Sequence, residues 1–410
     1  MTVDIFERYG LRRIVNVSGT ETPYGASPVR PEVIDAIREI LPRSVLMAEL
    51  QSAASQVIAQ AFGSEAGCVT GCTAASIAIT VAACMTGRDL GRVEQLPDTT
   101  GMKSAVVMQK GHEMTYGQNV SQNVRLTGAR MVEIGAATQC GSYQLRHAIG
   151  PDTAAALFVV SLHTVQHGLI TLEDFCSVCR EHGVPVIVDA ASMPDPRPYL
   201  AAGADLVLFS AHKAFAGLTA GVIAGRRDLV QACVYQEHGI GRPMKVGKEG
   251  VTGAIAAIEA WRAEDPAVLR EALDARLARA ADRLGGIPGL TVSHRGRQLE
   301  LQIDPMQAGI SAQGLAARLL AGEPGIIVGR HLAGAGILRL TLGKVSDEAA
   351  DLVCARIAAV CGTGRPDLRE PSLNSADAVA EQLEHWPRAL RRSAGQTQIP
   401  SNGPPEGDRR

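Results

Sequence analysis

Residues 206–225 read LVLFSAHKAFAGLTAGVIAG. An apolar run, Leu206 to Phe209, stops at Ser210 and His212; Lys213 follows, set among small residues and glycines, and a second apolar run fills 220–225. The pattern predicts a buried strand, a polar turn carrying one lysine at the strand's carboxyl end, and another buried strand.

The same texture extends backwards. AVVMQ (105–109), MVEIG (131–135), ALFVV (156–160) and VPVIVDA (184–190) are short, apolar and rich in Val and Ile. Segments such as TLEDFCSVCREHG (171–183) have helical spacing and a glycine stop between them. Strands alternating with helices predict an α/β domain with a mostly parallel sheet and right-handed crossovers, with ligands gathered at the carboxyl ends of the strands. After residue 262 the texture changes. A long helical stretch (PAVLREALDARLARAADRLGG) leads into short strands around TVSH, LELQID, GIIVG and GILRLTLG, interspersed with helices. The expected organisation is an N-terminal segment over 1–40 packed against both domains, a large domain over 41–262, a small α+β domain over 263–362, and a tail over 363–410 that is disordered in its last stretch.

Bulk properties exclude several classes. A chain of 410 residues suits two domains. The net charge of -2 gives no footprint for nucleic acid. No run of apolar residues is long enough for a membrane span, and MTVDIFERYG has no signal-peptide pattern. Nine cysteines without a framework predict reduced thiols and a cytoplasmic protein.

A lysine at a strand end ordinarily points into solvent. Lys213 differs in its neighbours: small residues let a bulky group approach, and Gly217 and Gly221 permit unusual backbone angles. A partly desolvated lysine is a nucleophile toward carbonyls, and a Schiff base with pyridoxal phosphate (PLP) is the obvious use. That cofactor makes further demands. Its pyridine nitrogen needs a carboxylate, and Asp189 stands at a strand end in VIVDAAS. Its phosphate needs backbone N–H groups at a helix start. TGCTAASIAITVAACMTG supplies Gly71, Cys72 and Thr73 ahead of an apolar helix, with Thr73 and Ser76 as hydroxyl donors and Ser210 and His212 also in reach. Its ring needs a flat partner, and His112 follows the 105–109 strand. Each signal is weak alone; their order along the chain, all at strand ends, is the strong part.

These motifs, together with RRIVNVSGTET (12–22), VVMQKGHEMTYG (106–117) and GIGRPMKVGKEG (239–250), make the chain resemble the fold-type I PLP enzymes over roughly residues 10–362. Within them it is similar to the group formed by selenocysteine synthase and D-glucosaminate-6-phosphate ammonia-lyase, and closer to the second branch. The resemblance implies that Lys213 bonds the cofactor, Asp189 meets the pyridine nitrogen and His112 stacks on the ring. It implies that the Gly71–Ser76 turn and Ser210 hold the phosphate, and that the enzyme is a homodimer or larger. Selenocysteine synthases carry an extra N-terminal tRNA-binding region, whereas here the RIVN motif begins almost at once. A small-molecule substrate is therefore expected rather than tRNA.

Substrate-side candidates are Arg339, as a carboxylate fork, the basic pair Arg242 and Lys245 with nearby Lys248, and Asn16, Ser18 and Thr20 at the entrance. His163, with His167, reads as part of a loop beside the site rather than as a metal ligand. Cys176-x-x-Cys179 lies in an amphipathic helix with no second pair, and no metal is expected. The expected reaction is β-elimination from a hydroxylated amino acid or amino sugar acid, releasing ammonia and an oxo acid, with Lys213 as general base. The alternatives are a PLP-dependent transferase (aminotransferase or selenocysteine synthase-like) and a non-catalytic PLP-binding protein.

Overall fold

A computed structural model of the chain describes residues 4–161, 164, 166–361 and 383–384. His163, and the expected tail apart from 383–384, lie outside the described residues. Strands are numbered in chain order: β1 (Ile14–Val17), β2 (Ala66–Thr70), β3 (Ala105–Gln109), β4 (Arg130–Ile134), β5 (Thr153–Val159), β6 (Val186–Asp189), β7 (Leu206–Ser210), β8 (Gly221–Gly225), β9 (Leu290–Arg295), β10 (Gln298–Ile303), β11 (Gly325–Val328) and β12 (Ile337–Leu340). The chain divides into two compact units, one of Thr20–Pro266 and one that joins Met1–Gly19 to the chain from Ala267 onward. The N-terminal segment expected over 1–40 thus splits at Gly19, its two parts belonging to different units.

The larger unit holds a seven-stranded sheet in the order β2-β8-β7-β6-β5-β3-β4. β3, β4, β5, β6 and β7 are parallel neighbours, while β8 runs antiparallel to both β7 and β2. Every residue of β3, β5, β7 and β8 is buried, which is why these strands read as unbroken apolar runs. The result is the expected α/β architecture. β2 was not legible as a strand: AGCVT has a single β-branched apolar residue, and its burial comes from its pairing with β8. The helix expected over 171–183 spans Leu172–Glu181; the Thr171 hydroxyl caps it by accepting from the Asp174 N–H at 3.2 Å, and Gly183 turns the chain away at φ 66°. The helix Thr73–Thr86 is buried on almost all sides, so its TAASIAITVAACMT sequence shows no polar face.

In the smaller unit β1 pairs in parallel with β11, Ile14 opposite Gly325, and β12-β10-β9 form an antiparallel sheet. Leu299, Leu301 and Ile303 alternate inward from β10 and meet Leu273, Leu277, Leu315 and Leu338 in one core. Among the described residues no helix is long and apolar enough to cross a membrane.

Candidate active site

Lys213 sits on the tight turn between β7 and β8. The Ala216 N–H donates to the Lys213 carbonyl (3.2 Å) and the Gly217 N–H to the Ala211 carbonyl (2.8 Å). Ala216 adopts φ 54°, a left-handed conformation that a Cβ disfavours. Aromatics make up only 3% of the chain, yet four gather beneath this turn. The Phe215 ring lies 5.1 Å from Phe209, 5.3 Å from Trp261 and 5.9 Å from Phe62. The lysine is therefore presented from a rigid platform. Burial pulls the Lys213 amine below the usual lysine range, against the pull of Asp189 and Glu21 toward the charged form.

Asp189 ends β6 and is 6% exposed. Burial pushes its carboxyl up to about 6, opposed by the Ala191 N–H, which donates to Oδ1 at 3.1 Å, and by Lys213. Among the described residues no ion pair neutralises it. A cationic N–H placed against this carboxylate would supply the partner that burial demands.

His112, just past β3, is fully buried. Its Nδ1 accepts from the Val159 N–H at 3.1 Å, so the proton lies on Nε2, which donates to Gln166 Oε1 at 3.0 Å. The Phe158 ring meets it edge-on at 4.4 Å. Burial pulls the imidazole below the usual histidine range, against the hydrogen bond to Gln166. With both nitrogens committed, the ring offers a face rather than a proton.

The turn after β2 opens the helix Thr73–Thr86, whose first N–H groups lack intrahelical partners by construction. The buried Thr73 hydroxyl has no hydrogen-bond partner among the described residues, and neither has His212 Nε2, although His212 Nδ1 meets the Ser210 hydroxyl at 2.9 Å. The Ser76 hydroxyl is engaged with Thr70 Oγ1 (2.7 Å) and donates to the Cys72 carbonyl (3.2 Å), bracing the turn. A Cβ on Gly71 would lie 2.7 Å from the Met244 carbonyl oxygen. One on Gly221 would lie 2.5 Å from the Cys72 carbonyl carbon and against the Ser76 and Thr70 hydroxyls. Both glycines are required for backbone to close around the turn.

Two clefts, of about 370 and 320 Å³, adjoin the turn; Gly71 and Lys245 line both. Arg242 is exposed and 3.9 Å from Glu237. The Lys248 ammonium donates to the carbonyls of Leu41 and Arg43, which leaves one of its three N–H groups for an anion. Half-buried Thr20 belongs to the same unit. In the smaller unit Asn16 Oδ1 accepts from the Ser18 N–H and hydroxyl, closing a local turn. Arg339 is already engaged: register places it opposite Glu300, whose Oε2 accepts from Nε (3.1 Å) and Nη2 (3.0 Å), while Nη1 faces His331. A substrate carboxylate at Arg339 has to share that fork. Burial pushes the Cys176 and Cys179 thiols up to about 12, leaving both protonated.

The sequence matches the L-seryl-tRNA selenium transferase (SelA) family over residues 14–277. The chain belongs to that family. It is 35% identical to the D-glucosaminate-6-phosphate ammonia lyase of Salmonella typhimurium (strain 14028s / SGSC 2262) over 364 residues, 87% of this chain and 98% of the relative. It is 37% identical to a 5'-C-glycyluridine monooxygenase-decarboxylase of a Streptomyces species over 362 residues, 86% of this chain and 90% of that one. A solved D-glucosaminate-6-phosphate ammonia-lyase superposes with a TM-score of 0.79 at 35% identity, covering 88% of this chain and 98% of the other. The chain is a PLP-dependent enzyme of fold type I.

The residues present fit that cofactor. A buried carboxylate with no ion pair among the described residues, a partly buried lysine, and the Thr73 hydroxyl, which starts a helix and has no partner among the described residues, are the complements of a pyridinium, an aldehyde and a phosphate. Several residues at the site had escaped the sequence reading: Glu21, which acts electrostatically on Lys213; Gln166, which fixes the His112 tautomer; and Tyr116, bonded to Asn123 and close enough to Asp189 to feel its charge. Polar residues in loops are too common for their identity alone to have marked them.

Proposed function

We propose that this enzyme is a lyase of the ammonia-lyase type, acting on a hydroxylated amino acid or phosphorylated amino sugar acid. The reading is carried by the relative named D-glucosaminate-6-phosphate ammonia lyase, matched over 98% of its length, alongside a Lys213 amine that burial pulls below the usual lysine range. Asp189 would hold the pyridine nitrogen, His112 would offer its face to the ring, and Gly71, Cys72, Thr73, Ser210 and His212 would hold the phosphate, with Ser76 bracing the turn that carries the first three. The bound cofactor supplies an electron sink for the substrate's Cα. The Lys213 amine takes the Cα proton and the Cβ hydroxyl leaves as water. Hydrolysis of the resulting enamine consumes one water and yields ammonia and a 2-oxo acid. Arg339, Arg242 and Lys245 are the candidates for the substrate's anionic groups, with Asn16 and Thr20 as further polar candidates; His163, also a candidate by its sequence, lies outside the described residues. A small-molecule substrate accords with a net charge of -2. A cytoplasmic homodimer or larger oligomer completes the proposal; all nine cysteines are free.

The test is ammonia and oxo acid release from D-glucosaminate 6-phosphate and a panel of hydroxy amino acids by the PLP-loaded protein. Lys213→Ala is expected to abolish both the cofactor's visible band and turnover; a variant that keeps its activity refutes the assignment. The 37% identity to a monooxygenase-decarboxylase favours one second reading, loss of CO2 from an amino acid with consumption of O2. Oxygen uptake and CO2 release, without ammonia release under anaerobic conditions, would select it.

A further inference from the structure

The turn that carries Lys213 is held by more than its own hydrogen bonds. Two residues far away in the sequence, Ser27 and Arg30, bind four of its carbonyl groups. The Ser27 N–H donates to the His212 carbonyl (3.2 Å) and its hydroxyl to the Lys213 carbonyl (2.7 Å). The Arg30 N–H donates to the Ala216 carbonyl (3.0 Å) and its Nε to the Phe215 carbonyl (2.9 Å). Ser27 is 5% exposed. The Arg30 guanidinium is itself fixed at its far edge, where Nη1 meets Glu264 Oε1 at 2.6 Å with both side chains largely buried. Within the turn, Ala216 holds a left-handed φ of 54° that an alanine adopts only under constraint. The donors of Ser27 and Arg30 supply that constraint.

We infer that Ser27 and Arg30 are positioning residues for the reaction: they clamp the Lys213 turn so that the amine stands in line with the proton it transfers. The inference rests on the reading of Lys213 as the cofactor-bonding lysine. Neither residue reaches the amine. Both act through the main chain on either side of it, and Ser27 acts on the carbonyl of Lys213 itself. Proton transfer is sensitive to displacements well under an ångström to about one, so a slackened turn costs rate before it costs binding.

The test uses the PLP-loaded enzyme with Ser27→Ala, Arg30→Ala and Arg30→Lys. Three quantities are measured: the pH midpoint of the cofactor's visible band, kcat against KM for ammonia release, and cofactor affinity. Ser27→Ala and Arg30→Ala are expected to lower kcat by on the order of ten- to a hundredfold, with KM and cofactor affinity within about twofold. The band midpoint is expected to move by at least about half a pH unit. Arg30→Lys, which keeps one donor and the charge, is expected to recover part of both changes. Unchanged kcat and band midpoint in folded variants overturn the proposal, as does a loss confined to KM or cofactor affinity. Should Arg30→Ala fail to fold, Ser27→Ala decides by the same criteria. Lys213→Ala runs in parallel with borohydride reduction and peptide mapping. If the cofactor is still trapped covalently in that variant, the parent reading fails, and that failure is distinct from an unresponsive Ser27 or Arg30.

Discussion

Replacing Asp189 by Asn separates what the carboxylate does for the cofactor from what it costs the fold. Burial raises this carboxyl from 3.8 to about 6. At 1.36 kcal/mol per pH unit that is a penalty of about 3 kcal/mol on the folded, charged form. The sign follows from linkage. A folded pKa above the unfolded one means that the native state binds the proton more tightly, so the full stability is present below pH 3.8 and is lost as pH rises to about 6. Asn keeps an oxygen for the Ala191 N–H and carries no charge to desolvate. It also withdraws one of the two carboxylates that help Lys213 remain protonated, which trims the gain. Cofactor-free Asp189→Asn is therefore expected to be more stable than wild type by about 1–3 kcal/mol at pH 8, the difference shrinking as pH falls toward 4. Urea unfolding across that range measures it. With PLP bound the order reverses in function, and kcat is expected to fall at least about 100-fold, because the group that meets the pyridine nitrogen is gone. A variant that is less stable than wild type at pH 8 without cofactor would falsify the description of Asp189 as a desolvated, unneutralised carboxylate.

Gly221→Ala should force its new Cβ onto the Cys72 backbone, costing about 1–3 kcal/mol in unfolding experiments and weakening cofactor binding measured by fluorescence quenching. Thr73→Val removes a buried hydroxyl that has no partner among the described residues; the cofactor-free melting temperature should hold or rise slightly, while PLP affinity drops by about tenfold for one lost charge-assisted bond. Glu300→Gln leaves Arg339 without its charged partner and should destabilise the protein by about 1–3 kcal/mol; a simultaneous fall in KM for a carboxylate substrate would mark Arg339 as the group that grips it.

Most strands of the larger unit were legible because strands covered on both faces are largely apolar, and every residue of β3, β5, β7 and β8 is buried. Asp189 and Lys213 were singled out for a related reason: one ends a buried strand and the other follows one closely, each a charged residue that a core alone has no use for. What stayed hidden was whatever depends on pairing across long separations. Ser76 looked like a donor, and only the proximity of Thr70 and Cys72 shows that it is already engaged. Arg339 looked like an open fork until the register of β10 against β12 set Glu300 beside it. Ser27 and Arg30 carry no local signature, since their partners are main-chain carbonyls more than 180 residues later.

The pairing of β1 with β11 has a consequence for biosynthesis. Ile14 and Gly325 emerge from the ribosome on the order of 15–60 s apart at ordinary elongation rates. Through that interval the early strand has no edge to join, while residues 20–266 are complete and free to fold. Nascent chains halted near residue 300 should therefore display a protease-resistant middle with a cleavable leading end, and the leading end should become protected only once the chain has passed Val328.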